Sequence, residues 1–192
     1  MLQMNIDLSG RLVKVEGAKD DLRQAIVDAL RTNGAAVAMP GDAHEPPFGL
    51  VAVSQGASSL DAPRDELDVF EQAIRAFSSS LERVVIVMSA TALVPVRGST
   101  GFSVAQAGLE RMVRALAMEK GPNARVNGVA VGVTDGSPLE SRMTGHTALG
   151  RAGRLDEVCA AVLFLLDPDN TYMTGHTLAV DGGWAIGYAR NF

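Results

Sequence analysis

The side chains of this sequence that could perform chemistry are few and far apart. Ser89 and His146 are of the types used by serine hydrolases, but neither a Gly-x-Ser-x-Gly turn nor a fixed acidic residue accompanies them. The chain has three histidines and one cysteine, Cys159, without the close Cys/His spacing of a metal site. A serine at a strand end most often forms local hydrogen bonds. We therefore predict a structural role for Ser89 and no metal centre.

Strands that alternate with helices must position these side chains. β-branched apolar runs between turn residues predict strands, and apolar residues at i, i+3, i+4 spacing predict helices. Strands are predicted over residues 11–15, 35–39, 50–53, 83–88, 125–132 and 177–180. Helices are predicted over residues 22–32, 65–80, 101–120 and 156–166. This alternation is typical of an α/β domain with a parallel sheet.

Two of the predicted helices carry apolar residues suited to packing. The helix over 156–166 is apolar on all sides, and its run 159–166 is far short of the roughly 20 residues that cross a bilayer, so we expect a protein surface to cover its second side. In the helix over 101–120, small residues allow close approach of a neighbour. Its predicted inward residues are Val104, Ala105, Leu109, Met112 and Leu116.

Composition indicates one globular domain over residues 1–192, with 47% hydrophobic and 20% charged residues. The net charge of −5 argues against a nucleic-acid-binding surface, which needs a basic stripe. The N-terminus shows no charged region followed by an apolar core, so no secretory signal is predicted. Together with the lone cysteine, these features favour the cytoplasm.

Residues 148–184 carry a dense family pattern. The sequence LGR is followed by an acidic-capped EVxxAVxFL helix and then by YxTGxTLxVDGGW, which ends at Trp184. Upstream, RVNGVAVG begins at Arg125. These motifs resemble the short-chain dehydrogenase/reductase family, strongly from about Arg83 onward and weakly before it. The resemblance implies a truncated Rossmann-like, doubly wound parallel sheet of about six strands. Since residues 40–49 are too few for the usual helix, strand and helix, a βα unit is missing on the adenine side.

The resemblance also implies an active site that this chain has lost. Members of the family use a tyrosine to transfer the alcohol proton, a lysine four residues later to lower its pKa, and a serine to orient the carbonyl. Counted from Ser89, the tyrosine position holds Phe102 and the lysine position holds Gln106. Shifting the register does not restore the site, because the first tyrosine of the chain is Tyr172. No catalytic residue is therefore predicted.

The family's glycine-rich cofactor loop is degenerate as well. Gly17 retains its first glycine, but Asp21 stands where the second glycine admits the pyrophosphate. A carboxylate about 4 Å from a phosphate charge costs roughly 4 kcal/mol at an effective dielectric near 20. We predict a structural turn that binds no NAD(P), with a rescuing role for Arg23 as the alternative. Asp42 is predicted to be a solvated loop carboxylate.

In the family, the helix over 101–120 and the unit over 156–180 pack against neighbouring subunits. The interface candidates are Val104, Met112, Leu116, Val158, Val162, Leu165, Trp184 and Phe192. The resemblance implies a non-catalytic subunit in a heterotetramer with a complete dehydrogenase, which oxidises a hydroxyacyl-CoA-type substrate with NAD. The alternative is a self-assembling module that binds a small molecule or an acyl-CoA in the remnant crevice.

Overall fold

The computed structural model of the chain describes residues 6–42, 46–54, 66–77 and 80–187. Its strands are β1 (Leu12–Gly17), β2 (Ala36–Ala38), β3 (Gly49–Val53), β4 (Arg83–Ser89), β5 (Arg125–Val131) and β6 (Thr177–Val180). Its helices are α1 (Asp21–Thr32), α2 (Glu66–Ala76), α3 (Thr100–Lys120), α4 (Glu140–Met143) and α5 (Leu155–Leu166). Each predicted strand and long helix is present, most with shifted ends, and β6 spans the predicted residues. The short α4 was not predicted.

The strands form one parallel sheet in the order β2-β1-β3-β4-β5-β6. The chain places β2 on one side of the central pair β1 and β3, and adds β4, β5 and β6 in turn on the other side. This order is that of a doubly wound fold. Among the residues that the structure describes, only β2 lies beyond β1 in this sheet. The truncated Rossmann-like architecture predicted from the sequence is therefore confirmed.

Helices cover both faces of the sheet, and each face has its own apolar core. The alternating side chains of a strand point to opposite faces, so each inner strand contributes to both cores. On one face, α1 and α5 pack against residues such as Val13, Val15, Val51 and Val85. On the other face, α2 and α3 pack against strand residues that include Leu50, Val84, Ile86 and Val126.

The side of β1 that faces away from α1 carries charges. Lys14 and Glu16 alternate with the buried Val13 and Val15, and the Lys14 Nζ lies 3.1 Å from the Glu16 Oε1. The same ammonium lies 4.7 Å from the centre of the Phe77 ring. A parallel strand covered by helices on both faces is usually apolar on both. The ion pair thus marks the part of the sheet next to the missing βα unit.

Helix α3 turns a different face inward from the one predicted. Val104 is 66% exposed, and Met112 is only partly buried. The buried residues are Ser103, Gln106, Leu109, Glu110, Val113, Leu116 and Ala117. The polar members of this set are tolerated because they have partners; Glu110, for example, pairs with Arg114. Apolar periodicity correctly identified Leu109 and Leu116 but could not anticipate buried polar residues.

Helix α5 buries one side within the chain itself. Val158, Cys159, Val162, Leu165 and Leu166 belong to the core that α5 shares with α1. On the other side, Ala160 is exposed and Leu163 and Phe164 are partly buried. Across the described ranges, the helices are too short or too polar to cross a membrane.

The carboxylate of Glu157 should make the stability of the protein depend on pH. Both terminal nitrogens of Arg151 donate to it, at 2.9 and 2.6 Å, and the Arg154 N–H donates at 2.8 Å. These hydrogen bonds lower the pKa of Glu157 from 4.5 to about 2. The resulting stabilisation is complete above the unfolded pKa and is lost as pH falls towards the folded one.

We therefore expect Glu157→Gln to lower Tm at pH 7, and the difference from wild type to shrink steadily below about pH 4.5. The control is Glu119→Gln, whose nearest cation is 3.7 Å away on a half-exposed side chain, and which should change Tm less. A Tm difference for Glu157→Gln that is the same at pH 7 and pH 3 would contradict this assignment.

The thiol of Cys159 should be unreactive in the folded protein. It is buried between α5 and α1, and burial raises its pKa to about 11. We expect no reaction with a disulfide reagent at pH 8 until urea unfolds the chain. An Ala160→Cys variant in a Cys159→Ser background offers a matched control, because Ala160 is exposed one residue away. Equal rates for the two native proteins would show that the helix opens readily.

Candidate functional site

The three family positions come together at the carboxyl edge of the sheet. Ser89 ends β4, while Phe102 and Gln106 lie in the first two turns of α3. Gln106 is fully buried, at 0% exposure. Its Oε1 accepts the backbone N–H of Ser89 at 2.9 Å, and its Nε2 donates to the Ser54 Oγ at 3.0 Å. The carboxamide therefore ties the end of β4 to the residue that follows β3.

Ser54 extends these contacts to α2. Its hydroxyl donates to the Glu66 Oε2 at 2.6 Å, and both side chains are buried. The Ser89 hydroxyl accepts from the N–H and the hydroxyl of Thr91 at 3.2 and 3.1 Å, so its described hydrogen bonds are local ones. We call Glu66, Ser54, Gln106 and Ser89 the buried polar network.

Sequence reasoning did not identify Glu66 or Ser54 as part of this site. A weak signal existed for Ser54, because it directly follows the apolar strand over 50–53, where the family places another motif. No such signal existed in the sequence for Glu66, because an acidic side chain in the first turn of a helix is usually exposed to solvent. Its burial depends on Ser54, which is distant in sequence.

Phe102 and Gln106 differ chemically from the tyrosine and lysine that the family uses at these positions. The partly buried Phe102 has no ionisable proton to exchange with an alcohol. The carboxamide of Gln106 is neutral, so it cannot lower the pKa of a neighbouring hydroxyl as an ammonium would. Both ends of this carboxamide are already bound to protein groups. The chemistry of these side chains fits a structural joint between strands and helix.

Replacing Gln106 by leucine should lower the free energy of unfolding by about 2–3 kcal/mol, because it leaves buried polar groups of Ser89 and Ser54 without these bonds. Urea denaturation would measure the change. Gln24→Leu is the control, since that glutamine bonds to Asp28 on the exposed side of α1, and it should cost less than about 0.5 kcal/mol. Equal costs for the two variants would argue against a structural joint.

The turn between β1 and α1 holds carboxylates where a cofactor phosphate would bind. Phosphates bind the free amides and positive dipole of a helix N-terminus. Here the Asp20 Oδ1 already accepts the Arg23 N–H at 2.9 Å and caps the helix. The exposed Asp21 adds a second negative charge at the first helical residue. These residues do not fit the pyrophosphate of NAD(P).

The structure also places the remaining single residues named from the sequence. The Asp42 carboxylate is exposed and closes its own turn by accepting the Met39 N–H at 2.7 Å. His146 is exposed in the 3₁₀ turn Thr144–His146, whereas Ser89 is buried. The Nη1 of Arg23 is buried without a hydrogen bond to any other described residue, and its role toward a phosphate stays a prediction.

Most of the interface candidates prove to be core residues. Val158, Val162 and Leu165 are each 1% exposed, and Leu116 is 3% exposed. Trp184 is buried as well. These side chains pack inside the chain itself, so they are not accessible on its surface. The apolar periodicity identified the helices correctly, and an interface on them stays a prediction.

The remaining candidates are distributed differently. Val104 is exposed and Met112 is partly buried, while Phe192 lies outside the described residues. Neighbouring surface positions offer further apolar contacts, among them Met118 at 85% exposure. The outer side of α3 therefore presents more accessible apolar surface than its sequence pattern indicated.

The parallel sheet with helices on both faces defines a Rossmann-like α/β domain, and comparison with known proteins identifies its family. Residues 67–185 match the family model described as Enoyl-(Acyl carrier protein) reductase, which is more than half of the chain. The chain belongs to the short-chain dehydrogenase/reductase family.

Curated relatives match only part of the chain. It is 39% identical over 101 residues to an uncharacterized oxidoreductase of Schizosaccharomyces pombe, covering 47% of this chain and 39% of that protein. It is 34% identical over 111 residues to the 3-oxoacyl-(acyl-carrier-protein) reductase of Thermotoga maritima, covering 54% and 45% respectively. The match thus spans less than half the length of these relatives.

Solved structures share the fold over nearly the whole chain. A short-chain dehydrogenase/reductase from Serratia marcescens superposes with a TM-score of 0.77 at 21% identity, covering 93% of this chain and 99% of that one. The ligand-free aldohexose dehydrogenase of Thermoplasma acidophilum gives 0.77 at 18% identity, covering 96% and 98%. At these identities the likeness concerns the fold alone.

Proposed function

We propose that this chain is a non-catalytic subunit that assembles with a complete member of its family in a hetero-oligomer. The partner performs NAD-dependent oxidation of a hydroxyacyl-CoA-type substrate. The observation that carries the proposal is the placement of Gln106, whose buried carboxamide holds β4 and Ser54 together at the family's lysine position. Because both ends of this carboxamide are hydrogen-bonded within the protein, Gln106 stabilises the fold and does not take part in proton transfer.

Two further features support the loss of catalysis. Phe102 offers no proton at the tyrosine position. Asp20 and Asp21 place negative charge at the helix end that would receive a cofactor phosphate. The residues at three separate parts of the site, namely the proton donor, the lysine and the phosphate loop, thus all differ from what catalysis in the family requires. The protein remains a well-packed domain with two apolar cores.

The setting that we propose follows from a resemblance to one heteromeric enzyme. The chain is similar to the inactive subunit of the hydroxyacyl-CoA dehydrogenase of anaerobic toluene (benzylsuccinate) degradation. A cytoplasmic heterotetramer with a complete dehydrogenase is the corresponding assembly. In it, this chain supports the partner's fold and contributes no cofactor site.

The test is co-expression with a complete dehydrogenase of the family encoded beside this chain. Light scattering gives the mass of the chain alone and of the mixture, and titration with NADH counts the binding sites. We expect a stable mixed oligomer that binds one NADH per complete subunit. NADH binding by this chain alone would overturn the proposal.

A homo-oligomer that ignores the neighbouring dehydrogenase would also overturn it. That result would favour a self-assembling module that binds a small molecule or an acyl-CoA. Titrating such a homo-oligomer with coenzyme A and with an acyl-CoA would then test the alternative directly.

A further inference from the structure

The first residues of strands β4 and β5 are both arginines, and they lie side by side. Arg83 and Arg125 are paired in the register of the parallel sheet. Neighbouring strands are roughly 4.8 Å apart, and paired residues of a parallel ladder point to the same face. This is the face covered by α5, because Val85 and Val129 further along these strands belong to the core that α5 shares with α1. Two guanidinium groups are therefore brought together at the amino edge of the sheet.

Arg83 binds main-chain carbonyl groups within the chain. Its nitrogens donate to the carbonyls of Glu82, Asp167 and Pro168, and the last two follow the C-terminal end of α5. Helix α5 has no basic residue in its own last turn, so Arg83 supplies the cation that a helix C-terminus attracts. These acceptors are carbonyl dipoles, so the guanidinium charge is not neutralised by a carboxylate.

Arg125 has no such acceptors. Its Nε is buried and makes no hydrogen bond to any residue that the structure describes. The carboxylates of Glu82 and Asp167, whose main-chain carbonyls bind Arg83, do not form an ion pair with it, and neither does any other carboxylate of the described residues. A buried donor without an acceptor is costly in a folded protein, and an ion that the site binds is one physical explanation for it.

A third arginine adds to the positive charge of this edge. Arg11 directly precedes β1, and its guanidinium lies 4.6 Å from the centre of the Phe48 ring. The Arg83 guanidinium lies 5.5 Å from the centre of the same ring. Phe48 is buried, whereas Arg11 is exposed to solvent. The ring thus holds a second cation beside the Arg83 and Arg125 pair, on the side of β1.

We propose that Arg125 and Arg83 form a binding site for a phosphate group at the amino edge of the sheet. The guanidinium fork matches the oxygens of a phosphate, and two adjacent positive charges favour a divalent anion over chloride. Arg125 offers all its N–H groups, and the Arg83 Nη1 carries two hydrogens but makes only one described hydrogen bond.

This site is separate from the family's catalytic positions. Arg83 begins β4, whereas Ser89 ends the same strand at the opposite edge of the sheet. The inference therefore goes beyond the proposed function and does not depend on it.

Isothermal titration calorimetry with inorganic phosphate, at pH 7 and constant ionic strength, tests the site. We expect one phosphate per chain and at least about tenfold weaker binding by Arg125→Met, because this variant loses charge-assisted hydrogen bonds. Arg111→Met is the matched control, since it removes the same charge from a side chain that is 73% exposed on α3, and it should bind phosphate as wild type does. No binding by wild type, or an equal loss in both variants, would overturn the inference.

Thermal unfolding shows whether Arg125 has a partner when phosphate is absent. Methionine retains an apolar stem, so in chloride buffer we expect the Tm of Arg125→Met to lie within about 2 °C of wild type. Added phosphate should raise the Tm of wild type and of Arg111→Met but not that of Arg125→Met. A much lower Tm of Arg125→Met in chloride would show that Arg125 already has a partner inside the chain, and the inference would be wrong.

Titration with adenosine monophosphate distinguishes the two sources of a phosphate group. Binding of both ligands, lost in Arg125→Met, supports a site open to phosphate esters, whereas binding of inorganic phosphate alone supports a site for the free ion. The result is also separable from that of the proposed function. NADH binding that persists in Arg125→Met would contradict the non-catalytic role, whereas NADH binding that this variant loses would belong to the arginine site.

Discussion

Replacing Arg83 by alanine should lower the free energy of unfolding by about 3–5 kcal/mol. Arg83 opens β4 and is only 2% exposed, yet its guanidinium faces carbonyl groups. It donates to the Pro168 O at 2.9 Å, to the Asp167 O at 3.4 Å and to the Glu82 O at 3.1 Å. The first two of these carbonyls follow α5, whose C-terminal end attracts a cation. Truncation would leave buried acceptors without donors and a cavity beside Phe48.

Urea denaturation of wild type and variants would measure this effect. Arg11→Ala is the matched control, because the Arg11 guanidinium lies 4.6 Å from the centre of the same Phe48 ring but is exposed. It should cost less than about 1 kcal/mol. Arg83→Met restores much of the volume without the hydrogen bonds and should fall between the two. If Arg83→Ala costs no more than Arg11→Ala, then Arg83 does not hold α5 to the sheet.

Replacing Gly17 by alanine should destabilise the protein by about 3 kcal/mol or more. The residue has φ +101°, and an added Cβ would lie 2.0 Å from the Val53 O. That carbonyl also accepts the Ala18 N–H at 2.8 Å, so moving it would disturb the junction of β1 and β3. The obstacle is backbone, which cannot rotate away as a side chain would.

Gly41→Ala is the control that separates the cost of the clash with the Val53 carbonyl from the cost of backbone strain. Gly41 has a similar φ of +91°, but its added Cβ would meet nothing within 4 Å. It should cost about 1 kcal/mol from backbone strain alone. Thermal and urea unfolding of both variants would measure the difference. Equal costs would mean that the Val53 carbonyl shifts freely and that the sheet does not require a glycine at residue 17.

The comparison of Gly17→Ala with Gly41→Ala also bears on whether Gly17 serves a cofactor site or the fold. The family resemblance matches Gly17 to the first glycine of the family's cofactor loop, and a glycine at that position could suggest a cofactor site. The close contact with Val53 gives a structural reason for it instead. The Asp20 cap on α1 is likewise explained by helix geometry without any phosphate.

The sequence alone determined the elements and the residue types at the family's catalytic positions. β-branched runs specified the parallel strands, and a connection of some ten residues between β2 and β3 was too short for the absent βα unit. The residue types at positions 102 and 106 are readable in the same way, because neither a phenyl ring nor a carboxamide titrates wherever folding places it. Such conclusions depend on local propensity, chain length and side-chain chemistry, all of which are readable from a sequence.

Only the tertiary structure decided which polar residues are buried and which apolar residues face outward. The guanidinium of Arg83 donates to carbonyls of Asp167 and Pro168, far along the chain, and the carboxamide of Gln106 donates to Ser54, 52 residues away in sequence. With such partners available, α3 could turn Gln106 and Glu110 inward and leave Val104 in water. Periodicity counts residue types along one helix, whereas burial of a polar group depends on distant donors and acceptors that folding brings beside it.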